Sequence, residues 1–251
     1  MAATGWDATT YDRIADPMTR WGTAVLARLD LRGDETVIDA GCGSGRVTEQ
    51  LLDRLPSGRV IALDADAAMV AEARQRLARF GGRVDFAVAD LQQPLPVPAP
   101  ADAILSTAVL HWIPDQDAVA RNFAAALRPG GQLVVQCGGG PNIAAVMAAI
   151  RATGMSWEGP WHYAYPDEAR ERYARAGFVA VETWLNEEPT AFPNDAELEQ
   201  YLTTIILRAH LVRLPEDERA GFVRAVARVL PNRTIDYVRL NIVARRGEPA
   251  G

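Results

Sequence analysis

From Thr36 to Gly45 the chain reads Thr-Val-Ile-Asp-Ala-Gly-Cys-Gly-Ser-Gly. Val37 and Ile38 form a β-branched run, the pattern of a buried strand. Glycine then falls at every second position, at Gly41, Gly43 and Gly45. Beyond it, Val47, Leu51, Leu52 and Leu55 recur at helical spacing. Strand, glycine turn and helix in this order bring bare backbone and a helix N-terminus together, where a ligand can lie close to the chain. The spacing narrows the choice of ligand. A dinucleotide fingerprint, G-x-G-x-x-G, would put its third glycine at position 46. Position 46 is Arg, and the acidic Asp39 ahead of the loop is atypical of a nicotinamide site.

Strands and helices alternate at short intervals on both sides of this stretch. Tyr11, Ile14, Met18, Trp21, Val25, Leu26 and Leu29 predict one or two amphipathic helices before the first strand. Further strands are expected at 59–63, 84–88, 101–106 and 132–137, with helices at 67–79 and 115–127 between them. Pro129-Gly-Gly131 reads as a sharp turn, and Gly138-Gly-Gly-Pro141 as the opening of a helix to about Ala152. Later come a helix at 167–176, a strand at 178–185, a helical stripe at 195–212, a helix from Pro215 to Leu230, and a last strand from Thr234 to Ala244. The pattern is that of an α/β domain with a mostly parallel sheet covered on both faces. One domain spans 1–251, with a helical cap at 1–33, a core at 34–152, a lid and helical insertion at 153–233, and a closing strand at 234–246.

Composition sets the outer bounds. With 251 residues, 49% of them hydrophobic, the chain has material for a sizeable core. A net charge of −6 argues against nucleic acid or an anionic membrane as the main partner. The chain contains no lysine, so its cations are arginines and three histidines. Cys42 and Cys137 are far apart, the usage of a reducing compartment. The N-terminus lacks the basic and apolar regions of a signal peptide, and no apolar run reaches membrane-span length. A cytoplasmic protein without a metal site is expected.

Ligands of open α/β sheets bind outside the carboxyl ends of the strands. Asp64 ends the second strand. Its carboxylate can accept both hydroxyls of a ribose, or it can cap the next helix, a job for which Asp66 is better placed. A nicotinamide site would use an acid at the same place. Asp90 ends the third strand and can accept an adenine amine or serve as a turn residue. Thr107 to Trp112 end the fourth strand.

Together Asp39–Gly45, Asp64, Ala89-Asp90-Leu91, Thr107–Trp112 and Leu127-Arg-Pro-Gly-Gly131 resemble the class I S-adenosylmethionine-dependent methyltransferases. The resemblance implies a Rossmann-like, seven-stranded sheet of order 3-2-1-4-5-7-6 with strand seven antiparallel. It implies S-adenosyl-L-methionine as cofactor, with Asp39 and the loop backbone on the methionyl part, Asp64 on the ribose and Asp90 on the adenine. The cofactor residues it marks are Asp39, Gly41, Cys42, Gly43, Gly45, Asp64, Ala65, Met69, Asp90, Leu91 and Thr107. Leu110-His-Trp-Ile-Pro-Asp115, the Trp/Tyr stretch after Gly154, the helices at 195–230 and the ending Tyr237–Arg245 are similar to the trans-aconitate methyltransferases and their relatives. Those more usually carry Leu-Gln-Trp where this chain has Leu110-His-Trp112; the insect juvenile hormone acid methyltransferases look similar to it there.

Such relatives methylate carboxylates of small molecules. A carboxylate acceptor needs no base, only a hydrogen-bonding or cationic partner, for which Trp112, His111, Arg20, Arg208 and His210 are candidates. A phenol or alcohol acceptor would need a base, and His111 is the best placed, unless it simply bonds to backbone at a strand end. Tyr11, His111, Trp112, Trp157 and Trp161 are the expected acceptor-binding residues, with Trp6 as a further closing group. The aromatic stretch 157–165 can equally be core packing. O-, N- or C-methylation of an aromatic or natural-product acceptor is the nearest alternative. A nicotinamide oxidoreductase and a binding module without turnover are more distant ones.

Overall fold

A computed structural model describes residues 16–248, and the side chains from Arg20 onward. The elements run α1 (Asp16–Leu26), β1 (Thr36–Ala40), α2 (Arg46–Asp53), β2 (Arg59–Asp64), α3 (Ala67–Arg76), β3 (Val84–Val88), β4 (Ala101–Thr107), α4 (Gln116–Ala126), β5 (Leu127–Gly138), α5 (Ala144–Ala152), α6 (Pro166–Arg175), β6 (Phe178–Glu187), α7 (Asp195–Tyr201), α8 (Arg208–Leu211), α9 (Glu216–Val229) and β7 (Val238–Arg246). The seven strands form one sheet of order β3-β2-β1-β4-β5-β7-β6. β1 to β5 pair in parallel, and β7 runs antiparallel to both β5 and β6. This is the Rossmann-like order expected above.

Strand side chains alternate between two cores, as the period of two demands. Ile38, Ile61, Leu63, Ile104, Leu133 and Val135 pack on one side with Val119 and Phe123 of α4 and Tyr173 of α6. Val37, Val60, Ala62, Leu105 and Val134 pack on the other with Val25 of α1, Leu51 and Leu52 of α2, and Leu77. A third cluster gathers α5, α7, α8 and α9 around Ile143, Ile150, Leu202, Ile206 and Val226. Tyr237, two residues after the short strand Thr234–Ile235, joins it.

Several boundaries differ from the sequence reading. β5 begins at Leu127, before Pro129-Gly-Gly131, with a register shift between Ala101 and Ala103 of its partner β4. The glycines after β5 open no helix at once; Gly139 and Gly140 bond to Val238 and Ala164, and α5 starts at Ala144. The last strand is interrupted: Thr234–Ile235 pairs with Thr190–Ala191, apart from the main sheet. The stripe at 195–212 is broken by a π turn over Leu202–Ile206, where Leu207 N–H reaches back to Leu202 O at 2.7 Å. Thr203 Oγ1 donates to Glu199 O at 2.7 Å within the same segment, a side-chain bond that competes with the regular ladder. Among the described residues no helix is long and apolar enough to cross a membrane.

Phe123 is fully buried at the centre of the α4 packing. Phe123→Ala is expected to cost about 3–5 kcal/mol, read as a lower urea midpoint at unchanged slope. An unchanged midpoint would show that α4 is not held by this core.

Candidate active site

The winding of the sheet reverses between β1 and β4, which leaves a crevice at their carboxyl ends. A cavity of about 570 Å³ occupies it, within the range of small-molecule sites. Its floor at one end is the glycine turn. Gly41 and Cys42 N–H both donate to Leu63 O, at 2.7 and 2.9 Å, tying the turn to β2. Gly41, Gly43 and Gly45 have φ of 87°, 54° and 84°. A Cβ on Gly41 would collide with Val109, whereas one on Gly43 would meet nothing within 4 Å. Gly43 therefore offers open backbone to the cavity.

Asp39 lies beneath the turn, facing α2. Thr48 Oγ1 donates to its Oδ2 at 2.6 Å, and its Oδ1 is buried without a hydrogen-bond partner. Burial pushes the carboxyl up to about 6. Burial also raises the Cys42 thiol well above its usual range, which keeps it protonated and unreactive.

Asp64 and Asp66 divide their tasks. Asp66 caps α3 through Ala68 N–H at 2.8 Å. Asp64 instead braces the glycine turn, its Oδ2 accepting from Gly43 N–H at 2.8 Å and its Oδ1 from Asp66 N–H at 2.9 Å. Its pKa is raised, chiefly by burial. Asp90 is exposed, and its Oδ1 accepts the backbone N–H of Gln92 at 2.9 Å.

The end of β4 is strained. Ala108 takes φ 61°, and Ile143, across the cavity lining, takes φ 52°. Non-glycine residues persist there only when their surroundings hold them. Leu110–Trp112 then form one 3-10 turn. Gln116 Nε2 fixes this turn to the aromatic stretch by donating to Leu110 O and His162 O, each at 2.9 Å. His111 Nδ1 accepts Gly138 N–H at 3.2 Å, so the hydrogen-bond network puts the ring proton on Nε2. Burial, with the charge of Arg239, holds the His111 pKa well below the usual range.

The far end of the cavity is aromatic and, among the described residues, holds one buried cation. Arg239, the second residue of β7, sits opposite Gly138 in register. It is 2% exposed and lines the cavity. Its Nε and Nη2 are buried with no hydrogen-bond partner among the described residues. The guanidinium lies 4.7 Å from the Trp21 ring centroid. Tyr237 packs edge-on against Trp21, and its hydroxyl bonds that of Tyr201 at 2.9 Å.

Of the residues singled out from sequence, Gly41, Gly43, Asp64, Ala65, Met69, Asp90, Leu91, Thr107, His111, Trp112, Trp157 and Trp161 line this one cavity. Asp39, Cys42 and Gly45 support the turn from behind and are not on the wall. Tyr11 and Trp6 lie outside the described residues. Arg20, Arg208 and His210 are not on the lining either; Arg20 points to Glu188 at 3.8 Å, and His210 is fully buried between Trp157 and Trp161. Sequence reasoning missed Arg239. The available signal was an Arg and an Asn, at 239 and 241, alternating with Leu240 and Ile242 on a strand that must be paired on both sides.

Residues 37–131 match a family described as a methyltransferase domain. Over 96% of its length the chain is 32% identical to a trans-aconitate 2-methyltransferase of Methylobacterium radiotolerans, covering 98% of that protein. In fold it is similar to the YcgJ protein of Bacillus subtilis, with TM-score 0.68, 15% identity, and 91% and 99% of the two chains covered. It is also similar in fold to phosphoethanolamine N-methyltransferase 2 of Haemonchus contortus in complex with S-adenosylhomocysteine, with TM-score 0.66, 17% identity, and 96% of this chain and 57% of that one covered.

Asp39 makes stability depend on pH. Its carboxyl titrates near 6 when folded, against 3.8 for the ordinary group. Below the ordinary value both states are protonated and nothing is lost. As pH rises toward 6 the unfolded chain releases its proton first, so the folded state loses stability. Asp39→Asn removes this loss and keeps the Thr48 bond. The ligand-free variant is expected to be more stable than the parent at pH 8 by up to roughly 3 kcal/mol, with the advantage shrinking toward pH 4. Urea melts at the two pH values check this; a pH-independent difference would contradict it.

Proposed function

This chain belongs to the class I S-adenosylmethionine-dependent methyltransferases, and we propose that its acceptor is a carboxylate of a small organic acid, which it converts to a methyl ester. The glycine turn fits the cofactor. Gly43 leaves room where a Cβ would stand, and the buried, unpartnered Asp39 Oδ1 lies under the turn for an ammonium or its water. Asp64 would hold the ribose hydroxyls while bracing Gly43, and Asp90, with Leu91 and Met69 beside it on the wall, the adenine. Bound there, S-adenosylmethionine supplies an electrophilic methyl group on a sulfonium that needs no further activation.

The observation that carries the acceptor reading is Arg239. A buried guanidinium with unpaired N–H groups is costly unless an anion completes it. Its planar fork matches a carboxylate. His111 adds an Nε2–H rather than a lone pair, so it orients the acceptor and does not take its proton. The aromatic walls exclude water, and the work of the protein is alignment. A phenol acceptor is disfavoured, because the imidazole nitrogen that could act as base is engaged by Gly138 N–H.

With a methyl-labelled donor and a panel of acids, phenols and amines, mild alkali is expected to release the label as methanol from an acid product. Label that resists alkali would sink the reading. Arg239→Gln should lower kcat/KM for the acid by roughly 30- to 5000-fold, the counterpart of a truncated buried ion pair, with S-adenosylhomocysteine affinity little changed. The rate is expected to be flat from pH 7 to 9, since neither a carboxylate acceptor nor His111 titrates there; a rise across that range would point to a base.

A further inference from the structure

Resting on the carboxylate reading, we infer that the acceptor is a monocarboxylic acid with a flat apolar body rather than a polycarboxylate. The charges on the cavity wall argue for this first. Asp64, Asp66 and Asp90 line it at the glycine-turn end, against guanidinium groups only from Arg213 and Arg239 among the described residues. Of the two, only Arg239 is buried. Arg213 is exposed and lies over the Trp157 ring at 3.6 Å from its centroid, so its head already has a partner and faces water. One acceptor carboxylate therefore finds a desolvated counter-ion. Among the described residues a second or third would enter the same space with none.

The remaining wall is built for an apolar body. The rings of His111, Tyr163 and Trp161 follow one another at centroid distances of 6.0 and 6.2 Å, with planes 26° and 10° apart, so their faces share one orientation. Trp112 meets Trp161 at 6.0 Å and 56°, which makes a corner. The π turn adds Ile205 and Ile206, consecutive residues that are both buried and both on the lining. Near-parallel rings with a tilted fourth, and branched aliphatic groups on the same wall, fit an aromatic ring. The buried Arg239 sets where its carboxylate lies.

The test compares naphthalene-1-acetate with trans-aconitate. Calorimetric binding is measured in the presence of S-adenosylhomocysteine, and methyl-ester formation with the methyl donor. The aromatic acid is expected to bind at least about tenfold more tightly and to give the higher kcat/KM. Trp161→Leu should weaken it about tenfold and leave trans-aconitate within about twofold, with S-adenosylhomocysteine affinity reporting that the variant is folded. Equal or tighter binding of trans-aconitate overturns the inference, as does an equal loss for both acids in Trp161→Leu or the binding of neither. If the aromatic acid binds but label goes only to alkali-stable products, the carboxylate reading itself fails. If trans-aconitate is the better ester-forming acceptor, that reading stands and only the monocarboxylate inference falls.

Discussion

Two backbone N–H groups, of Gly41 and Cys42, share the carbonyl oxygen of Leu63. That bond pair turns the chain sharply off the end of β1 while keeping it against β2. The rest of the site follows from it. Gly43 is lifted toward the cavity and reaches Asp64, Asp39 is sealed beneath the loop, and α2 starts directly behind. Side chains at 41 or 45 would collide with Val109 or crowd Ala73 and Leu77. The glycines are thus fixed by packing and backbone conformation, before any ligand is considered.

The cavity is electrically polarised along its length. Carboxylates gather where the parallel strands end, and the buried guanidinium stands at the start of the one antiparallel strand. This follows from topology. Because β7 runs the other way, its first residues, and not its last, reach the open end of the sheet. A cation at its second position is delivered to the same crevice as acids from β2 and the end of β3. His111 is the hinge between the two ends: its ring nitrogen holds Gly138, and Gly138 lies opposite Arg239.

The sheet order was legible as what the family resemblance implies, and that resemblance rests on residues near the strand ends of the first half. Asp39, Asp64, Asp90 and Thr107 mark four strand ends. What could not be read depended on contacts distant in sequence. Pro129-Gly-Gly131 looks like a plain turn, but pairing of Leu127 with Ala101 starts β5 ahead of it. The stripe at 195–212 looks like one helix, because apolar spacing is nearly the same for a helix and for a helix with a π turn. Arg239 was hidden among other arginines. Burial without hydrogen-bond partners at Nε and Nη2 sets it apart, and that is a property of β5, β7 and α1 together.

The π turn at Leu202–Ile206 separates the shape of the cavity's aromatic end from its chemistry. The π turn holds one residue more than an α-helical turn would, so loss of one residue there would restore the ordinary ladder and change the wall locally while the following helix kept its phase. The isoleucine pair would be re-phased while the sheet, the glycine turn and Arg239 stayed in place. A lineage carrying this fold therefore has a route to a reshaped cavity through helix length alone, by a single-codon deletion that leaves the composition of the wall almost unchanged.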